Sequence, residues 1–153
     1  MIKAIETKYD GYTFRSRLEA RWAVFFNKIG LKWDYEIEGF ELEDGTWYLP
    51  DFYIPEFGYI EIKAEGMVKD EEIRKCIMLS KLPTCVALFD GSPKIKEYSV
   101  WEDGKKNYCG FCTDSVINWG QIPFFGNPIP DEEDLKAINA ACSEKFGQKG
   151  RTR

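Results

Sequence analysis

The sequence predicts an α/β (α+β) domain, a mixed central sheet flanked by helices in the order helix, strand, strand, strand, helix, strand, with a C-terminal helix. Three observations carry this reading. An apolar stripe of helical period runs through Leu18, Trp22, Phe25 and Ile29 near the start. Alternating and continuous apolar runs follow between residues 33 and 89, divided by turn residues and one further helical segment. A last amphipathic segment opens on Asp131, Glu132, Glu133 and Asp134. At 153 residues and 44% hydrophobic, the chain is long enough for one core and too short for two. Residues 1–146 therefore read as a single domain, and 147–153 as a basic flexible tail.

Residues 1–13, with Tyr9-Asp10-Gly11-Tyr12, read as a turn-like polar lead-in. Ser16 with Glu19 three residues later is a capping box, so a helix starts near Ser16, and Gly30 ends it. Glu19 carries two competing roles. As a cap it folds back on the Ser16 amide and contributes about 1 kcal/mol or less. Beside the apolar stripe it points under the helix instead, where a carboxylate needs a partner such as a cation. Trp33, Tyr35 and Ile37 alternate with acids in a half-buried strand that Phe40 and Leu42 extend past a bend at Gly39. Asp44-Gly45 is a hairpin turn into a strand over Tyr48–Ile54, and Pro55 to Gly58 connect that strand to another over Tyr59–Ala64. Asp70, Glu71 and Glu72 open the second helix, which Ile73, Cys76, Ile77 and Leu79 carry toward Pro83. Thr84–Phe89 has the composition of a buried strand. Glu97–Trp101 reads as an edge strand, Glu102 to Lys105 as a turn and 118–130 as a loop draped over the domain. The last helix would dock through Leu135, Ile138, Cys142 and Phe146.

Chemistry concentrates in the central hairpin. Alternation puts Tyr59, Glu61 and Lys63 on one side of their strand and Ile60 and Ile62 on the other. Asp51 follows Pro50 within the partner strand, and pairing brings it toward Glu61. Two carboxylates and a lysine in that arrangement suit a hard divalent cation with a water beside it. The plainer alternative is a solvent face on which Glu61 and Lys63 form an ion pair that contributes little.

Pro50-Asp51 followed by Glu61-Ile62-Lys63 resembles the signature of the PD-(D/E)XK nuclease superfamily, and Phe14 to Trp22, with Glu19, resembles its first helix. Within the superfamily the chain is most similar to phage endonuclease I, a group that resolves branched DNA. The resemblance covers residues 1–65 well and the remainder by element order. It implies a restriction-endonuclease-like core and an Mg²⁺- or Mn²⁺-dependent endodeoxyribonuclease acting on branched or structured DNA, of the Holliday-junction-resolving type. Asp51, Glu61 and the Ile62 backbone carbonyl would bind the ion. Glu19 would act on it directly, through water or on a second ion, and Lys63 would orient the attacking water or stabilise developing charge. Junction resolution further implies a homodimer. The setting would be DNA recombination in the cytoplasm, that of the host if the chain is phage-encoded.

The absence of histidine removes an imidazole base and the Ser-His-Asp and Cys-His arrangements, which leaves metal assistance as the main hydrolytic route. Net charge is −5, unlike a simple nucleic-acid binder, but the charge is unevenly distributed. From Met1 to Trp33 seven basic residues face three acids, and from Ser143 onward four face one. Arg15, Arg17 and Arg21 at the helix start, with Lys149 and Arg151 in the tail, are candidate phosphate contacts or else a solvated polar surface. Five cysteines point to reduced thiols. Cys109-Gly-Phe-Cys112 could serve a structural zinc or iron–sulfur site only if Cys142 and either Cys76 or Cys85 joined them; a redox pair or plain buried thiols are the alternatives. No apolar run reaches membrane-spanning length, and the first residues lack a signal-peptide pattern, so no membrane partner is expected. Three other functions stay open: a nicking or degradative nuclease on duplex or single-stranded DNA, a non-catalytic DNA- or protein-binding module on a nuclease fold, and a cysteine-based metal or redox protein.

Overall fold

The computed structural model describes residues 4–111, 122–126 and 129–147. The expected lead-in is instead a hairpin of β1 (Thr7–Tyr9) and β2 (Tyr12–Phe14). Asp10 and Gly11 both take positive φ, +53° and +82°, which is the two-residue turn that Asp-Gly favours. Helix α1 (Arg17–Lys28) follows, with Ser16 as its N-cap, and Gly30 beyond its end takes φ +79°. Its inner face is aromatic. Trp22, Phe25 and Phe26 are wholly buried, and the Trp22 indole N–H donates to the Gly91 carbonyl at 2.9 Å.

The segment after α1 departs from the expected strands. Glu36 takes φ +49°, ending β3 (Asp34–Tyr35) early, so the chain resumes as β4 (Phe40–Glu41). The single strand expected over Tyr48–Ile54 is two: β5 (Trp47–Tyr48) pairs with β4 in a separate ribbon, and β6 (Phe52–Ile54) joins the main sheet. Pro50 lies between them; it cannot donate to a ladder and it biases the residue before it. Asp51 therefore occupies a bend between two strands, not a strand interior.

Strand β7 (Gly58–Lys63) pairs antiparallel with β6 and parallel with β8 (Cys85–Asp90), and α2 (Asp70–Ser80) makes the crossover between β7 and β8. Within the main sheet the elements thus run α1, three antiparallel strands, α2 and a parallel strand, as expected. The sheet then continues. β9 (Glu97–Glu102) is flanked by β8 and by β10 (Lys105–Gly110), so it is internal and β10 is the edge. Asp103 and Gly104, at φ +53° and +75°, make the turn between them. The strand order is β10-β9-β8-β7-β6-β3.

Both faces of this sheet are covered. On one, Ile60, Ile62, Ala87, Phe89 and Val100 pack against α1; on the other, Tyr59, Val86, Leu88 and Trp101 pack against Cys76 and Leu79 of α2. Helix α3 (Glu132–Ser143) lies beside α1. It buries Asp134, Ala137 and Ala141, whereas Leu135 and Cys142, expected inside, are exposed. Alanines let the two helices approach closely, and Asp134 serves the helix start by accepting the Asp131 amide at 3.0 Å while Asp131 accepts that of Asp134 at 2.8 Å. Phe124 and Phe125 seal the open end, Phe125 stacking on Phe57 at 4.1 Å; residues 118–121 and 127–128 of the expected loop lie outside the described residues.

Gly58 is required where β7 begins. It takes φ +144°, and a Cβ there would lie 2.1 Å from the Cys85 carbonyl oxygen. Gly58→Ala is expected to lower stability by on the order of 3 kcal/mol, read by urea denaturation, because strain and backbone collision add.

Candidate active site

Three carboxylates and one ammonium gather where β7 leaves the core. Glu19, Asp51 and Glu61 are 7%, 7% and 8% exposed, so the solvent-face alternative for Glu61 does not hold. They reach this region from three elements: the first turn of α1, the Pro50 bend and β7.

Each carboxylate has its own donor. Asp51 Oδ2 accepts the Ile62 backbone N–H at 2.8 Å, which fixes the bend against β7. Glu61 Oε1 accepts the Tyr48 hydroxyl at 2.9 Å, and its other oxygen lies 3.5 Å from Lys63 Nζ. Glu19 Oε1 accepts the Tyr35 hydroxyl at 2.5 Å and the Arg15 amide at 3.2 Å. The capping box is therefore half formed. Ser16 Oγ accepts the Glu19 amide at 3.1 Å, and the Glu19 carboxylate, which also interacts with the Ser16 side chain, reaches Tyr35 of β3. Glu19 is thus buried, as expected for a residue beside the apolar stripe, and keeps contacts at the helix start as well. Tyr35 and Tyr48 were not foreseen as part of the site. Each reads in sequence as an alternating strand aromatic, and only the fold shows its hydroxyl aimed at an acid.

Burial raises the pKa of all three acids. For Asp51, desolvation is the largest cause, followed by repulsion from Glu61 and then Glu19; the Ile62 N–H and Lys63 act in the opposite sense. Glu61 is raised by desolvation and lowered by Lys63 and Tyr48, and Glu19 is raised by desolvation and lowered by Tyr35. Like charges near one another in a dry setting suit an external cation, and carboxylate oxygens are the ligands that Mg²⁺ and Mn²⁺ prefer. In the present arrangement, among the described residues, no three Cys, Asp or Glu side chains stand close enough to share one ion.

The expected phosphate contacts are dispersed. Arg15 Nε pairs with Glu36 at 2.7 Å. Arg21, half-buried, points to α3, where it donates to the Ala141, Cys142 and Glu144 carbonyls at 3.0 to 3.2 Å and lies over the Phe146 ring, so it caps a helix end. Arg17 is half-buried at the start of α1, and Lys149 and Arg151 lie outside the described residues.

The cysteines do not gather either. Cys76 is buried beneath Tyr48, Cys109 lies in β10, the Cys85 thiol donates to Glu102 and that of Cys142 to the Pro93 carbonyl. Burial pushes the Cys85 thiol up to about 12. Cys112 lies outside the described residues. No helix among the described residues is long and apolar enough to cross a membrane.

No family model matches the chain, and no curated protein matches it.

The raised acids fix a pH dependence. Their folded pKa values lie above the ordinary carboxylate values of 3.8 and 4.5, so their contribution to stability is full below about pH 4 and is lost as pH rises through the folded values. Denaturation midpoints taken in chelator from pH 4 to pH 8 should fall over that range, and Asp51→Asn should flatten the slope by removing one of the repelling charges.

Proposed function

We propose that the chain is a divalent-metal-dependent endonuclease that hydrolyses DNA phosphodiester bonds, with branched or structured DNA as its substrate. The observation that supports this most is the burial of Glu19, Asp51 and Glu61 beside Lys63 at one end of β7, an arrangement costly to the fold unless it serves a cation. Asp51 and Glu61 would hold Mg²⁺ or Mn²⁺, with the Ile62 carbonyl beside them and Glu19 contributing directly or through water. When bound, the ion supplies a Lewis acid for the phosphate and a lowered pKa for an attacking water. Lys63, with a third of its side chain exposed, presents an ammonium at the mouth of the site to stabilise charge on the phosphate oxygens. Tyr48 and Tyr35 hold Glu61 and Glu19 through neutral donors, so they orient the acids without adding a charge that would compete with the ion. The ends of the parallel pair β7 and β8 lie at the same place, a common location for sites in sheets of this kind. Paired cuts at a junction would require two copies of the chain.

A non-catalytic module is the second reading, and one feature favours it: each acid already has a donor from the protein. Cleavage of an end-labelled four-way junction, beside its linear arms and a supercoiled plasmid, separates the two. Cutting should require Mg²⁺ or Mn²⁺, cease in chelator, and fall by roughly 10²–10³-fold or more in Asp51→Asn and Glu61→Gln. Equal cutting by Asp51→Asn would overturn the assignment, and metal-independent binding with no cleavage of any substrate would favour the module. Mg²⁺ should also abolish the loss of stability between pH 4 and pH 8, because a bound cation replaces repulsion with attraction.

A further inference from the structure

Beside the carboxylates, on the sheet face that α2 covers, lies a recess of about 400 Å³. We propose that it binds one unpaired nucleobase of the DNA strand being cut. The proposal rests on the nuclease reading and names the substrate feature that the site would select.

Position is the first argument. The recess is walled by Ile73 of α2, Leu88 and Asp90 of β8, Ser99 and Trp101 of β9, and Lys106 of β10. In the parallel register Leu88 is the partner of Glu61 and Asp90 that of Lys63. Its wall is therefore one strand spacing, about 4.8 Å, to the side of the candidate catalytic groups and on the same face. A nucleotide next to the scissile phosphate can reach across that distance.

Chemistry is the second. Leu88 and Trp101, both 4% exposed, and the half-buried Ile73 give apolar walls for the faces of a base. Asp90 and Ser99 supply an acceptor and a hydroxyl for its edge. At the rim, Lys106 lies 5.3 Å from the Tyr108 ring centroid, so an ammonium group is at hand for the sugar-phosphate of the inserted nucleotide. Apolar walls with a few convergent polar groups, in a volume within roughly 300–1,000 Å³, are the usual make-up of a small-ligand site. A base within an intact duplex is stacked on both faces and cannot enter; one at a bulge, gap or branch point enters at little cost.

The test uses the full chain, in chelator, titrated with a duplex that carries 2-aminopurine in a single-nucleotide bulge, and with the same duplex abasic at the bulge. The base-bearing bulge should bind at least about tenfold more tightly, with a change in 2-aminopurine emission, and Ser99→Trp, which fills the recess, should abolish both differences. Equal binding of the two duplexes by the wild-type chain overturns the pocket, and because this comparison needs no variant, a misfolded Ser99→Trp cannot obscure it. Cleavage of both duplexes with Mg²⁺ separates the claims. Cutting without any preference for the base-bearing bulge sinks the pocket and leaves the nuclease reading standing, whereas a tenfold binding preference without cutting of any DNA supports the pocket and removes the nuclease.

Discussion

Desolvation of Glu19, Asp51 and Glu61, to which repulsion between Asp51 and its two neighbours adds, is the constraint around which the centre of this fold is arranged. β7 is covered by α1 on one face and α2 on the other, so Glu61 had no solvent to point into. Its charge is met by Lys63, and its geometry by Tyr48 from a ribbon outside the main sheet. The Pro50 bend places Asp51 against the Ile62 amide, and the first turn of α1 hands Glu19 to Tyr35. Three chain segments thus meet through donors that are mostly neutral. Such an arrangement holds the acids in place while burial still raises the pKa of each.

Much of this frame was legible in the sequence, for identifiable reasons. Ser16 and Gly30 bounded α1 because capping is local chemistry, and the run from Thr84 to Phe89 announced a buried strand, observed over Cys85–Asp90. The motif residues Asp51 and Glu61 were visible because Pro50 and the short hairpin fix their separation. What escaped had a weak local signal or depended on contacts distant in sequence. Asp10-Gly11 and Asp103-Gly104 carry the same hairpin signal as Asp44-Gly45, yet the three-residue strands beside the first and the exposed, polar β10 beside the second offered too little apolar alternation to support it. The strand read through Pro50 was continuous in hydrophobicity but not in hydrogen bonding. On α3 the larger side chains suggested a docking stripe through Leu135, whereas the helix approaches α1 through Ala137 and Ala141, and small residues leave little hydrophobic signature.

Charge was the least readable property. Arg15, Arg17 and Arg21 formed a basic cluster on paper, and the fold gives at least two of them work inside the protein: Arg15 on Glu36 and Arg21 on the end of α3. The lysines that do surround the candidate centre, Lys63, Lys94 and Lys96, each face an acid, Glu61, Glu65 and Asp90 respectively. A formal charge of −5 thus describes the whole chain better than it describes the rim of this site.

The clamp between Arg21 and α3 also orders events in time. Every residue of the candidate centre is translated by position 63, yet the carbonyls that anchor Arg21, half a turn from Glu19, belong to residues 141, 142 and 144. A nascent chain carries the whole motif, and the strands against which α1 packs, long before this clamp can close. The last contact that secures α1 is therefore supplied by the last helix.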